Sequence, residues 1–373
     1  MQNDAIVEVY YGPSSWFQEK RPNESHALLD VVYALDEASR RHTHRVEGQE
    51  RPEHPTDPVF EYDTVVAESS DYASLTDHSV MNFVGIMRRI NVNKIVLQNP
   101  PDRIYRQLER VFHSTTEYYD YPVVELDTIK DFDRGYEEKV VGQPRVKSEL
   151  LAALYRLTSP ERRDPVVLMF YGPSGVGKTE TAKYINSLLG GELMRKQFSM
   201  YHTERFASYI FGGAHQEPSF AHDLLDRESG VILIDEFDKA NPVFHGAFYQ
   251  FFDEGVFEDK NYRLDVGPAL IICTSNYSSK NDVRNALGDA LYSRFDALIG
   301  YERLSIEALT EISGRIIDSQ FSRLTDDEKK LLKREDVRRG VEQFIGVSDG
   351  NVRRIAKMSE QVISLMLVRE IIK

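Results

Sequence analysis

The sequence predicts an α/β protein. Its centre is a doubly wound parallel sheet, followed by a small helical domain and preceded by a smaller α/β or α+β domain. Three observations carry this. Val166 to Tyr171 is a continuous apolar run, as a strand buried on both faces requires. Two more such runs follow, Val231-Ile232-Leu233-Ile234 and Leu270-Ile271-Ile272-Cys273, with helical stretches between them. Alternation of that kind builds a parallel sheet. After about Ser305 strand signals vanish and helical spacing fills the rest. The expected domains are residues 1–132, 133–304 and 305–373.

In chain order, residues 26–41 have helical spacing through Leu28, Leu29, Val32 and Leu35. Residues 41–58 are polar, contain three prolines and read as an exposed loop. Lys94-Ile95-Val96-Leu97 looks like a strand. Residues 102–112 look like an amphipathic helix with Ile104, Tyr105, Leu108 and Val111 on one face, and Val123-Val124-Glu125-Leu126 like another strand. Residues 137–157 contain a helix and 158–165 a loop. The sequence shows no internal repeat and no long low-complexity tract.

Composition is that of a soluble globular protein, with 41% hydrophobic and 28% charged residues. No apolar run approaches the roughly 20 residues a membrane helix needs, and the polar, acidic start does not read as a signal peptide. A lone cysteine, Cys273, rules out a disulfide framework within the chain and suits a reducing compartment. The expected location is cytoplasmic, with no membrane partner. The net charge of −14 weighs against broad nucleic-acid binding, which needs many cationic contacts. Residues 1–135 hold 14 Lys and Arg against 24 Asp and Glu, so most of the acidity precedes the central sheet.

Gly172-Pro173-Ser174-Gly175-Val176-Gly177-Lys178-Thr179 fits G-x-x-x-x-G-K-[ST]. It follows a predicted strand and precedes a predicted helix over 179–189, the context the motif demands. Its glycines let backbone N–H groups turn inward around phosphates, and the helix N-terminus adds a positive dipole end. Lys178 is expected to reach the β- and γ-phosphates and Thr179 to ligate Mg²⁺, with Glu180 next in the helix. About 55 residues on, the second apolar run ends in Asp235-Glu236. Chemistry in such sheets gathers at the carboxyl ends of strands. Asp235 would hold Mg²⁺, and Glu236 would deprotonate the attacking water.

The stretch Ile234-Asp235-Glu236-Phe237-Asp238-Lys239-Ala240-Asn241-Pro242 resembles the Walker B region of the Clp/HSP100 clade of AAA+ ATPases, where D-E-x-x-K-A precedes a polar-Pro turn. The similarity runs from about Val140 to Ala356. It implies a P-loop NTPase fold of the AAA+ type with a helical lid. It also implies ATP hydrolysis with Mg²⁺ and a ring of like subunits, expected to be a hexamer, with ATP sites shared between neighbours. Val140-Val141-Gly142-Gln143 resembles the segment that packs on adenine. Asn276, in Thr274-Ser275-Asn276, is similar to the sensor that bonds the γ-phosphate or the lytic water. Arg294, in Leu291-Tyr292-Ser293-Arg294-Phe295-Asp296, resembles the finger inserted into the neighbour's site, for which a planar, always charged guanidinium is suited. Gly350-Asn351-Val352-Arg353-Arg354 resembles the start of the lid's sensor helix, with Arg353 as the phosphate contact and Arg354 as the alternative.

The clade's aromatic pore loop is altered here. The matching stretch, residues 211–220, keeps glycines but lacks the Tyr-Val core, and Phe220 reads either as a gripping aromatic or as a core residue of the next helix. Residues 253–260 match a secondary loop or an ordinary hairpin. The expected action is on a protein partner, chosen through residues 1–132, by remodelling or by a non-processive switch. A nucleic-acid-linked motor is the rival reading, which the acidity disfavours.

Overall fold

The computed structural model describes residues 5–43, 60–200, 203–214, 217–346 and 351–372. Its strands in chain order are β1 Ile6–Tyr11, β2 His26–Ala27, β3 Phe60–Ala67, β4 Ile90–Gln98, β5 His113–Tyr118 and β6 Val166–Tyr171. They continue with β7 Met194–Gln197, β8 Val231–Asp235, β9 Val256–Glu258, β10 Arg263–Asp265, β11 Leu270–Thr274 and β12 Ala297–Gly300. Contacts divide the chain into two compact units. The first takes the described residues of Met1–Tyr121, Tyr201–Glu228 and Val256–Val266; the second takes Pro122–Met200, Ser229–Gly255 and Gly267–Lys373. Residues 201–228 and 256–266, which the sequence places inside the central domain, therefore group with unit 1.

Unit 1 is built on a parallel sheet in the order β2-β3-β4-β1-β5. Alternate side chains of a strand point to opposite faces. Val7, Val9, Val65, Ile95 and Leu97 form one core with Leu28, Val31, Phe83, Ile104 and Leu108. Val66 and Val96 lie against Phe17 instead. The N-terminal domain is thus α/β. The unit also contains the helices Thr203–Phe211 and Phe220–Leu225 and the antiparallel hairpin of β9 and β10. Phe220 is fully buried there, 5.0 Å from the Phe257 ring and 6.0 Å from Tyr209, so it is the core residue of the next helix and not an exposed gripping aromatic.

Unit 2 carries a second parallel sheet in the order β12-β6-β11-β8-β7. The apolar runs that announced β6, β8 and β11 are buried except at half-buried Tyr171, as a parallel sheet covered on both faces requires. Cys273 is a free, buried thiol in β11. The chain ends in the helices Ile306–Ser322, Asp326–Leu331, Arg334–Ile345 and Val352–Ile372. They bury Leu309, Ile317, Val337, Val341, Ile355 and Ile363 on one another.

Several expectations change. Val123–Leu126 is not a strand. Thr128 Oγ1 accepts the Glu125 N–H at 3.2 Å in a capping box that opens the helix Leu126–Lys139. The helix expected to 112 ends at Glu109; the chain turns at Leu108, leaving Val111 41% exposed instead of on the apolar face. Of the loop expected over 41–58, residues 41–43 continue the helix Leu28–Thr43 and the rest lie outside the described residues. The sequence's lack of an internal repeat does not extend to topology. With each sheet's strands numbered in their own chain order, both sheets run fifth, first, fourth, third, second.

Candidate active site

The phosphate-type loop leaves β6 at Gly172 and enters the helix Lys178–Leu189. Two of its glycines are required by geometry. Gly172 has φ +131°, and a Cβ there would lie 2.3 Å from the Tyr301 carbonyl oxygen. Gly175 has φ +78°, and a Cβ there would lie 2.2 Å from Asn351 Oδ1. Side chains at such φ are strained whatever the space. The segment before the sheet is tied to this loop through Gln143. Its Nε2 donates to the Val176 carbonyl at 3.3 Å and to the Glu302 carbonyl at 2.8 Å.

Lys178 is 8% exposed. Its Nζ donates to the carbonyls of Gly172 at 2.6 Å and Pro173 at 2.7 Å, and to Asn276 Oδ1 at 3.4 Å. Burial brings its pKa down to about 8, against the opposing pull of Asp235 and Asp238. The ammonium thus rests on neutral oxygens, in a pocket where an anion would be better solvated by it.

The acidic pair is held by side chains that the sequence did not single out. Asp235 is 5% exposed. Its Oδ1 accepts from Thr274 Oγ1 at 2.5 Å, and its Oδ2 from Arg195 Nη2 at 2.5 Å and Nε at 3.1 Å. Glu236 follows in the left-handed region, with φ +57°. That conformation costs a non-glycine residue on the order of 1–3 kcal/mol. It lets successive carboxylates line one cavity, which a continuing strand would forbid. The turn is fixed by the Glu236 N–H donating to Thr274 Oγ1 at 3.0 Å and by Gln197 Nε2 donating to Glu236 Oε2 at 3.1 Å. Arg195 and Gln197 alternate along β7, whose register sets Gln197 opposite Asp235.

One cavity of about 530 Å³ gathers most of the expected residues: Val140, Val141, Ser174, Gly175, Val176, Gly177, Lys178, Thr179, Glu180, Asp235, Glu236, Asn276 and Arg353. Lys139, Lys183, Arg195 and Arg315 join them, so six basic side chains face three acidic ones. Pro173 contributes its carbonyl to Lys178 but does not line the space. Arg353 is on the lining and Arg354 is not. Gly350 lies outside the described residues, as do His215 and Gln216 of the altered pore loop. Within that loop Phe211, not Phe220, is the exposed aromatic, at 47%.

Arg294 is not brought to this cavity. Its Nε pairs with Asp253 at 2.8 Å, its Nη1 donates to the Ala290 carbonyl, and its guanidinium lies 4.5 Å from the Tyr249 ring centroid. Asp253 belongs to the segment 253–260 whose loop the sequence flagged. That segment is the end of the helix Tyr249–Glu254, a left-handed Gly255 and β9.

Comparison with known proteins bears on the region around the cavity. Residues 163–336 match the family model described as AAA domain (Cdc48 subfamily). A ClpA homolog protein of Fuscovulum blasticum is 27% identical over 232 residues, covering 54% of this chain and 29% of that protein. Chaperone protein ClpB of Chlamydia trachomatis is 26% identical over 295 residues, covering 67% and 33%. ClpB of Chlamydia caviae is 33% identical over 171 residues, covering 42% and 20%. The chain spans at most a third of the length of these relatives. Among solved structures, the fold is similar to the S. cerevisiae Hsp104–ADP complex (TM-score 0.51, 19% identity, 63% of this chain and 46% of that one). It is also similar to closed-state Hsp104 with ATPγS and FITC casein (TM-score 0.53, 15% identity, 96% and 86%).

Proposed function

We propose that this chain, whose residues 163–336 match an AAA domain model, hydrolyses ATP in a ring of like subunits and uses the cycle to remodel or switch a protein partner. The observation that carries this reading is the single cavity. It joins the phosphate loop, the acidic pair, Asn276 and Arg353 in a net basic setting suited to a triphosphate. The division of labour follows the domains 1–132 for the partner, 133–304 for ATP and 305–373 for the lid.

Each residue has a role its surroundings support. Val140 and Val141 present apolar surface to the base. The N–H groups from Ser174 to Glu180 surround the phosphates. Lys178 exchanges its carbonyl partners for phosphate oxygens and recovers the charge interaction that burial denies it. Thr179 and Asp235 would hold Mg²⁺, which supplies charge neutralisation at the phosphate oxygens. Their hydroxyl and carboxylate oxygens are hard donors of the kind that ion takes, and both line the cavity where the nucleotide would complete the set. Glu236, released from Gln197, takes the proton of the attacking water, and Asn276 orients that water or the γ-phosphate. Arg353 closes the lid onto the phosphates. Arg294 serves the neighbouring subunit, where a finger is worth roughly 10³–10⁵ in rate.

The burial of Phe220 favours a switch over threading that depends on that ring. Among the described residues no helix is long and apolar enough to cross a membrane, and we place the chain in the cytoplasm. Glu236→Gln tests the reading. It should keep ATP binding and lose roughly 10²–10⁴-fold in turnover, the range of a positioned base. Turnover within a few-fold of the unaltered chain would remove Glu236 from the chemistry.

A further inference from the structure

The two sheets share one strand order, and the resemblance extends to what sits at their carboxyl ends. β1 runs into Tyr11-Gly12-Pro13-Ser14, and β6 into Tyr171-Gly172-Pro173-Ser174. β3 runs into Ala67-Glu68 where β8 runs into Ile234-Asp235. β4 is followed by Asn99, and β11 by Ser275-Asn276. In register, Glu68 stands at the place of Asp235 and Asn99 at that of Ser275.

From these matches we infer that unit 1 is a second, diverged copy of the phosphate-loop fold that has lost its nucleotide site, so that the chain holds one nucleotide and not two. Only two residues, Gly12 and Pro13, part β1 from the helix Ser14–Lys20. Six residues, 172–177, make the corresponding connection in unit 2. The short connection leaves out the glycines that turn N–H groups inward, together with the lysine and threonine. Glu68, which the register sets at the place of Asp235, has its carboxylate paired with Arg21.

The space is also filled. Asn99 is fully buried, with φ +45°, and its amide grips Gly12 from both ends. Its Oδ1 accepts the Gly12 N–H at 2.9 Å, and its Nδ2 donates to the Gly12 carbonyl at 2.9 Å. Gln98, also fully buried, donates to the same carbonyl at 3.1 Å and to Ser14 Oγ at 3.2 Å. In unit 2 the amide one residue past the matching position, Asn276, faces the cavity beside Lys178. A Cβ on Gly12 would lie 2.5 Å from Tyr119 Cβ and 2.9 Å from the Trp16 ring, so Tyr119 and Trp16 pack directly on Gly12. On the outside, Asp226 Oδ1 accepts from both the N–H of Ser14 at 2.8 Å and its hydroxyl at 2.9 Å, and Glu228 accepts from Ser15 Oγ at 2.5 Å. Carboxylates of this same chain thus take the Ser14 N–H and the Ser14 and Ser15 hydroxyls at the start of this helix.

This goes beyond the proposed function and has its own test. The full chain is photolabelled with 8-azido-ATP, as the unaltered protein and as Lys178→Ala, and the labelled peptides are mapped. Label confined to unit 2 and lost in Lys178→Ala is the expected result. Label on residues 6–20 or 60–71 in either protein overturns the inference. A chain that takes no label anywhere contradicts the proposed ATP site and not this one, so a second arm reads the closure directly. Asn99→Gly suits the left-handed φ and removes the amide. It should raise amide hydrogen exchange at residues 12–16 at least tenfold, with exchange in β6 and β8 unchanged. Unaltered protection at residues 12–16 in the folded variant would overturn the closure.

Discussion

Lys178 gives a prediction that can be worked from its surroundings. Its amine is nearly enclosed and faces the carbonyls of Gly172 and Pro173, and its pKa is brought down to about 8 from 10.5. A nucleotide brings several negative oxygens to within hydrogen-bond reach, which returns the pKa towards or above its ordinary value. Binding should therefore take up protons above neutrality. With a pKa of about 8, about three quarters of Lys178 is neutral at pH 8.5 and about one tenth at pH 7. A non-hydrolysable ATP analogue should then take up about 0.7 proton per site at pH 8.5 and about 0.1 at pH 7. Titration calorimetry in buffers of different ionisation enthalpy measures this directly. The same group affects folding. Between about pH 8 and 10.5 the folded chain binds fewer protons than the unfolded one, so stability rises with pH across that window. The full effect is about 3 kcal/mol in the nucleotide-free chain. No proton uptake at pH 8.5, or equal uptake at both pH values, would refute the buried-ammonium reasoning.

Two other perturbations follow from burial. Phe220→Ala removes a ring with no exposed surface and contacts to Phe257 and Tyr209, and should cost about 3–5 kcal/mol in unfolding free energy by denaturant titration. A fully stable variant with impaired partner handling would return Phe220 to a gripping role. Thr274→Val keeps the shape but strips partners from Asp235 Oδ1 and from the Glu236 N–H, and should cost about 1–3 kcal/mol by the same titration. It should also lower turnover more than nucleotide affinity, because the turn that aims Glu236 is loosened; an unchanged rate would remove Thr274 from that task.

What was legible in the sequence was local. β6 could be read to the residue because a strand covered on both faces is apolar without interruption, and the phosphate loop because eight adjacent residues carry it. Unit 1 resisted the same reading. β2 is two residues long, the first half of β3 alternates polar and apolar residues, and the edge strand β5, His-Ser-Thr-Thr-Glu-Tyr, has no apolar run. Val123 and Val124 have strand-like side chains, but the capping box at Glu125 decides the backbone. Arg195 and Gln197 were missed because only the pairing of β7 with β8 brings them to the acidic pair. The repeated strand order was hidden because little beyond Tyr-Gly-Pro-Ser survives of the shared residues, while the order itself is a property of pairing and not of sequence.

The central claim is a site completed by a neighbour, and Arg294 tests it most directly. Its pairing with Asp253 and Tyr249 keeps it away from its own chain's cavity. ATP turnover should be measured against protein concentration for the unaltered chain and for Arg294→Ala, with particle size recorded in ATP. Turnover per chain should rise as the chain assembles, and Arg294→Ala should still assemble and bind ATP while losing roughly 10³-fold or more in rate. A monomer that hydrolyses ATP at a concentration-independent rate, with Arg294→Ala unimpaired, would contradict the shared site.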